Sequence, residues 1–478
     1  MRRPWVMMVL TGAVVASCAA SLAVAATPAV GAVARAGGWG KAIEVPGLAR
    51  LSAGNGGLLA EVSCSSAGNC AAGGSYTSDA AGHSQAFVVS QKNGWWDKAI
   101  EVPGLAALNT GGDAQLTSLS CGSAGNCAAG GSYTGNGGSP AFVVSEKNGT
   151  WGKARQVPGV AALSGATGGS SVSSVSCASA GNCTAGGTYD TTGYGQTFVV
   201  SEKDGTWGKA IEVPGLAALD AGSPVGVSSV SCASAGNCTV AGSYGVSPPV
   251  AFVVSEKNGW WGTAIEVPGS VALGGLTIAS VSCASAGNCS AAGYSGDRYS
   301  LADLGPVVVS EKNGTWSKAT PIPGTTASAR NGAGPVSCAS AGNCAAGGDY
   351  APSIEGPYQA FVVSQKNGWW GQAIEVPGLT ALNAGGNADV VSVSCQPAGS
   401  CAAGGYYQDG SSHQQAFVVS ENNGTWGRAV EVPGSGALNT GGFAQIASVS
   451  CTPAGYCAAG GEYSAPSGDE QPFVVSRT

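Results

Sequence analysis

The sequence predicts an all-β, eight-bladed β-propeller of four-stranded blades, and three observations carry the prediction. A hairpin unit recurs along the chain, a cysteine pair of constant spacing accompanies each recurrence, and one copy of the hairpin is divided between the two ends. A linear row of repeats has no reason to begin and end in mid-hairpin, whereas a ring completed by its N-terminal strand does.

The hairpin is clearest in FVVSEKDGTWGKAIEVP, Phe198 to Pro214. An apolar run Phe198 to Val200 leads to a turn at Asp204-Gly205 and a returning strand Trp207 to Val213. Asp-Gly and Asn-Gly supply the positive φ angles that a tight hairpin turn needs. The unit recurs from Phe87, Phe142, Phe252, Phe361 and Phe417, with a weaker copy from Val307. Its second half stands alone at Trp39 to Pro46 and its first half alone from Phe473. Pairing Trp39 to Pro46 with Phe473 to Ser476 is therefore expected to close the ring.

Of 17 cysteines, 16 form pairs of the form Cys-x5-Cys: Cys64/Cys70, Cys121/Cys127, Cys177/Cys183, Cys232/Cys238, Cys283/Cys289, Cys338/Cys344, Cys395/Cys401 and Cys451/Cys457. Paired cysteines in an exported chain read as disulfides. A metal site fits poorly, because ligand pairs normally sit closer together and the mature chain adds only His83 and His413. Each bridge closes a short loop, so its chain-entropy contribution is about 2 kcal/mol.

First cysteines of successive pairs lie 51 to 57 residues apart, which suits one four-stranded blade per repeat. In the third copy, strand a is Ser173 to Cys177, ending in the turn ASAGN, and strand b is Cys183 to Tyr189. Strands c and d are the hairpin, and a linker then leads to the next strand a. The disulfide is expected to join the end of a to the start of b. Small residues in strand b suit the close approach of a neighbouring sheet. The recurring Trp of strand d (Trp39, Trp96, Trp151, Trp207, Trp261, Trp316, Trp370, Trp426) is expected to pack between blades as a large apolar group.

Residues 1–26 read as an export signal, with Arg2-Arg3, an apolar stretch Trp5 to Val24 and small residues Ala23-Val24-Ala25. Residues 27–38 form a short linker and 39–478 the propeller. Val15-Ala16-Ser17-Cys18 also fits a lipobox, which makes lipid anchoring at Cys18 the alternative to full secretion. The rest of the chain has no stretch apolar enough for a membrane helix, and a monomer is expected. A formal charge of −7 with only 10% charged residues argues against nucleic-acid binding.

Two resemblances follow from these residues. SCASAGNC, then AGG-x-Y, then NGTW resembles a repeat of secreted actinobacterial proteins, a group that looks propeller-like and has no settled activity. The resemblance spans Trp39 to Thr478. More loosely, Ser201, Asp204, Gly205 and Trp207 resemble the Asp-box of sialidase-type propellers, which sits at the c to d turn. Here the acid comes one place late, is Asn in the other clear copies, and the Trp comes one place early. The Asp-box is structural, so it implies a fold and no catalytic role.

Alternating strand direction places the a–b and c–d turns on one face and the b–c loops and d–a linkers on the other. The turns barely change from copy to copy, whereas the loops differ in every blade, so recognition is expected on the loop face. Unconstrained drift is the plain alternative.

One blade departs most: its long loop carries Asp297, Arg298, Tyr299 and Asp303, and the next linker contains Arg330. In a chain this poor in charge these residues are a candidate polar site; decay of one repeat is the other reading. Trp95, Trp260 and Trp369 precede the recurring Trp where other copies have Thr. Strand neighbours face opposite ways, so these rings do not share the inter-blade packing and are candidates for stacking on sugar. Covering a blade edge is their alternative.

The recurring Glu of AIEVPG is architectural by its recurrence. No nucleophile signature surrounds His83 or His413, and no calcium, phosphate or dinucleotide motif appears, so no cofactor is expected. The expectation is a secreted, non-enzymatic binding or scaffold protein that recognises a glycan or an extracellular protein. The alternatives are a polysaccharide-active lyase or hydrolase using acids on the loop face, or a purely structural surface component.

Overall fold

The computed structural model describes residues 38–477 apart from 53–55, 136, 166–167, 192–194, 221, 224, 297–304, 326–331, 352, 354–355 and 398. The chain forms a closed ring of eight blades, each ordered a–b–c–d from the axis outward. Blade 3 shows the pattern: strand a is Ser170–Ser179, strand b is Asn182–Asp190 and strand c is Gly195–Lys203. Strand d comes in two pieces, Thr206–Trp207 and Ile211–Glu212. Blade 8 takes its outer strand from the N-terminal segment, with Ile43 opposite Val474 and Glu44 opposite Phe473. A further bridge pairs Trp39 with Arg477.

The turn chemistry accounts for the constancy of the repeats. Asp204 and Gly205 adopt φ of 50° and 81°, as a primed hairpin turn requires. The Asn182 side chain accepts the Asp204 N–H at 3.4 Å and donates to Ser179 Oγ at 3.2 Å. The Gly205 N–H donates to the Gly181 carbonyl at 2.9 Å. The SAGN turn thus holds the neighbouring NG turn, and both lie on one face.

All eight expected disulfides are present. Their position needs one correction. The bridge was expected to span the end of strand a and the start of strand b, and only blade 8 matches, where strand a ends at Cys451 and strand b begins at Cys457. In blades 1–7 the ladder runs past the cysteines, with strand b beginning one residue before Cys70, Cys127, Cys183, Cys238, Cys289, Cys344 and Cys401. The physical reason is register: each pair sits directly opposite across the two strands, as Cys177 does to Cys183, and the next pair outward, Ser179 and Asn182, is still bonded. The bridge therefore cross-links neighbours within a formed ladder.

Two circles of hydrogen bonds run round the ring. At the axis, the Ser before each first cysteine accepts the backbone N–H of the corresponding cysteine in the next blade. Ser63 takes Cys121, Ser120 takes Cys177, Ser176 takes Cys232 and Ser231 takes Cys283. Ser282 takes Cys338, Ser337 takes Cys395, Ser394 takes Cys451, and Ser450 takes Cys64. At the rim, the Ala between the two pieces of strand d donates its N–H to a proline carbonyl of the preceding blade, as Ala210 does to Pro158 at 2.7 Å. This bond is why strand d is interrupted where the sequence suggests one continuous strand. The chain leaves its own ladder to bond its neighbour, and the blades thereby share a backbone hydrogen bond.

The apolar core is correspondingly divided into clusters between blades. Val143 and Val157 of blade 2 pack with Val172, Phe198 and Trp207 of blade 3. A fully buried Phe contributes about 1.5–3 kcal/mol. Strand b has glycine because the next blade leaves no space: a Cβ on Gly186 would lie 2.9 Å from Val230 Cγ2. The linkers contain short helical turns at Val160–Ser164, Ala217–Asp220 and Ser435–Leu438.

Candidate functional site

Asp297, Arg298, Tyr299, Asp303 and Arg330 lie outside the described residues. The paired tryptophans are described. Trp95, Trp260 and Trp369 are 63%, 82% and 82% exposed. Each begins the outermost strand opposite a lysine of the c–d turn: Lys92, Lys257 and Lys366. The following Trp turns inward, and Trp370 Nε1 donates to Ser310 Oγ of the preceding blade at 3.3 Å. Strand alternation separates a half-buried ring from an exposed one within two residues.

The bridging cysteines belong chiefly to the packing, although Cys183 and Cys238 also line a cleft between blades 3 and 4 and Cys289 one between blades 5 and 6. Cys70, Cys127, Cys289 and Cys457 are buried in four of the inter-blade clusters, beside residues such as Leu59, Leu119, Ile278 and Ile446. Cys183, Cys238, Cys344 and Cys401 are buried likewise. With the sulfur atoms oxidised in pairs and one of each pair enclosed, these residues stiffen the blades and offer no reactive thiol.

Trp260 and Trp369 stand on ridges between clefts. Trp260 borders a cleft of about 540 Å³ shared by blades 3 and 4, and one of about 370 Å³ shared by blades 4 and 5. Trp369 borders a cleft of about 1060 Å³ shared by blades 5 and 6, and one of about 260 Å³ shared by blades 6 and 7. Glu311 and Trp316 line both the 370 Å³ and the 1060 Å³ clefts, so the two meet at blade 5.

An inter-blade latch lies beneath the rim; of its members, Glu202 lines the 540 Å³ cleft and Ser364 and Trp426 line the 260 Å³ cleft. Ser145 Oγ of blade 2 donates to Glu202 Oε1 of blade 3 at 2.6 Å and accepts Trp207 Nε1 at 2.9 Å. Ser90 holds Glu146 and Trp151, and Ser364 holds Glu421 and Trp426, in the same way. Burial pushes the carboxyl groups of Glu146, Glu202, Glu256, Glu311 and Glu421 above their ordinary range. The lysines beside them point outward and are exposed, so the clefts have a buried acidic floor and a basic margin.

A second constellation, absent from the sequence expectations, lies near the axis on the loop face. Asp349 occupies strand b of blade 6, while Asp389 and Tyr406 face each other across strands a and b of blade 7. Burial, and then the neighbouring Asp389 carboxylate, push Asp349 up to about 7. Burial pushes Asp389 up to about 6. Burial, then Asp389 and Asp349, push Tyr406 up to about 12. In blade 8 Glu462 accepts from Gln445 Nε2 at 2.5 Å, and burial raises its carboxyl group as well. The signal was available in one column of the repeat. The residue after the strand-b glycine is Ser75, Ser132, Thr188 and Ser243 in blades 1–4, then Tyr294, Asp349, Tyr406 and Glu462.

The histidines are structural by their contacts. His83 Nδ1 lies 2.6 Å from Asp79 Oδ2 within one exposed loop, and the His413 N–H donates to Asp409 Oδ1 at 3.0 Å in the matching loop of blade 7. Each ring packs on a linker glycine, Gly112 or Gly442. The recurring Glu of strand d accepts from the tyrosine hydroxyl of strand b, at 3.1 Å for Tyr76 and Glu101 and 3.0 Å for Tyr407 and Glu431. Among the described residues there is no group of three or more His, Cys, Asp or Glu able to hold a metal ion. None of the described helices is long and apolar enough to cross a membrane.

No family model and no curated protein matches the sequence. Solved structures to which the chain is similar include a Hadza microbial sialidase, at 12% identity over 62% of this chain and 63% of that one, with a TM-score of 0.36. The chain thus spans less than two thirds of that sialidase. The xyloglucanase from Xanthomonas campestris is similar at 12% identity over 80% of this chain and 53% of that one, with a TM-score of 0.42. The alpha-L-arabinanase of Penicillium chrysogenum, solved with arabinobiose, is similar at 11% identity over 61% and 89%, with a TM-score of 0.35.

Proposed function

We propose that the protein is a secreted glycan-binding propeller that takes sugar rings against Trp260 and Trp369 at the inter-blade clefts. The observation that carries this reading is the exposure of 82% at each of these two side chains, each beside an open, mostly apolar cleft whose walls also carry polar side chains. Leaving an indole in water forgoes roughly 1.5–3 kcal/mol of burial, and a sugar face restores that burial while its hydroxyls meet the Ser, Asn and Lys side chains of the walls. The reading moves recognition from the loop face to the turn side of the rim. The test is a glycan array and pull-down on insoluble polysaccharides, with product analysis of the same incubations. Binding that disappears in Trp260→Ala and Trp369→Ala, with no released sugar, supports it; binding indifferent to both substitutions overturns it.

A second reading, a lyase or hydrolase at the axis, is favoured by Asp349 and Asp389. A carboxyl group held up to about 7 keeps its proton near neutrality and can act as a general acid, while a partner at about 6 titrates earlier and can act as a base. Released product that is lost in Asp349→Asn and Asp389→Asn with folding intact would establish it.

A further inference from the structure

The charge of this chain is unevenly divided between the faces, although the turn side carries two exposed acids, Asp204 beside Lys203 and Asp97, 3.5 Å from Lys92. Lys92, Lys147, Lys203, Lys257, Lys312 and Lys366, one on each c–d turn of blades 1–6, are all exposed. The acidic residues that precede four of them, Glu146, Glu202, Glu256 and Glu311, are buried below the surface. Asp79, Asp113, Asp349, Asp389, Asp409 and Glu462 lie on the loop side. A formal charge of −7 therefore conceals a basic turn side. Three of these lysines lean over the next blade: Lys92 over Gly149, Lys257 over Gly314 and Lys366 over Gly424. Lys257 and Lys366, with Lys203 and Lys312, thus line the clefts that Trp260 and Trp369 border.

Resting on the glycan-binding reading above, we propose that the turn side of blades 3–6 binds a linear anionic polysaccharide. Its sugar rings stack at Trp260 and Trp369, and its acidic groups pair with Lys203, Lys257, Lys312 and Lys366. Charge complementarity selects this occupant. A neutral glycan would use the indoles and leave four ammonium groups without a role, whereas a uronate or sulfate chain uses both. The meeting of the clefts at Glu311 and Trp316 gives such a chain a path across blade 5, where Thr315 replaces the exposed Trp.

The experiment compares polygalacturonate with its methyl ester, and dextran sulfate with dextran, on the mature protein over a range of salt. The expected result is tighter binding of the charged member in at least one pair, weakening as salt rises. The two pairs separate carboxylate from sulfate recognition. Lys257→Glu with Lys312→Glu should weaken that binding roughly tenfold at low salt, while Lys41→Glu on blade 8 leaves it unchanged. Equal, salt-indifferent binding of charged and uncharged members, lost in the Trp260 and Trp369 variants, would overturn the anionic class and leave glycan binding standing. Charged-polymer binding that survives both tryptophan substitutions would overturn the glycan reading and this one together.

Discussion

Ser450 Oγ accepts the backbone N–H of Cys64 at 2.9 Å, joining two residues 386 apart in sequence by the contact that joins every other neighbouring pair of first cysteines. The last blade is thus bonded to the first at the axis, while at the rim the closure depends on the N-terminal strand. Ala42 donates to the Pro433 carbonyl at 2.7 Å, and Glu44 accepts from the Tyr463 hydroxyl at 2.6 Å. Deleting Trp39 to Pro46 removes the outer closure and leaves the inner one. The expected product is a folded ring with an unpaired edge on blade 8, a lower melting temperature and concentration-dependent aggregation. A monodisperse deletion with unchanged melting would refute the closure.

The latch gives a prediction of unequal costs. Ser145→Ala deprives two part-buried groups, the Trp207 N–H and Glu202 Oε1, of one partner. Trp207→Phe removes only a donor and part of an indole. Leaving polar groups unpaired costs about 1–3 kcal/mol each, so Ser145→Ala should destabilise by more than the loss of one small hydroxyl contact would. A double-mutant cycle of Ser145→Ala with Trp207→Phe should give a coupling of about 1 kcal/mol. Additive effects in chemical denaturation would show that the two side chains do not share the bond.

Much of this architecture was legible beforehand because the devices that build it are local. Asn-Gly turns, cysteine pairs and strand alternation each act within a few residues, and eight copies repeat the signal. The inward and outward Trp at 370 and 369 were separable by alternation alone. What escaped was non-local or singular. Ala210 departs from strand d because a proline of another blade accepts its N–H. Asp349 and Asp389 become neighbours only when blades 6 and 7 pack. Asp297, Arg298, Tyr299, Asp303 and Arg330 are outside the described residues, so their grouping stays an expectation.

Stability should depend on pH in a direction set by buried acids. Glu61 stands where most blades have Ser. Its carboxylate accepts from Ser118 Oγ at 2.8 Å and the Leu119 N–H at 2.9 Å, yet burial lifts it from 4.5 to about 7. Asp349 is lifted from 3.8 to about 7 and Asp389 from 3.8 to about 6. A raised pKa means that the folded chain holds protons the unfolded chain has released. The contribution is fully present below the ordinary values and is lost as pH rises through about 6 to 7. Melting temperature should therefore fall from pH 5 to pH 8, and Glu61→Gln should flatten the slope. A melting temperature that rises over this range would contradict the assignment.

The exposed Trp is a modular feature, so it should be transferable. Thr206 begins the outer strand of blade 3, is exposed, and pairs with Lys203 as Trp260 pairs with Lys257. Thr206→Trp adds an aromatic to an edge position that tolerates one in three other blades, so stability should stay within about 0.5 kcal/mol of the parent. The new ring stands on the blade next to the cleft that Trp260 borders from the other side. If sugar is held by stacking on these ridges, one further ring should tighten binding of a long polysaccharide by about threefold to tenfold. Short oligosaccharides that reach a single ridge should gain nothing. Isothermal titration with a length series separates the two. A gain that is independent of chain length would mean that the ridges act one at a time, and no gain at either length would mean that recognition depends on something other than the indole face.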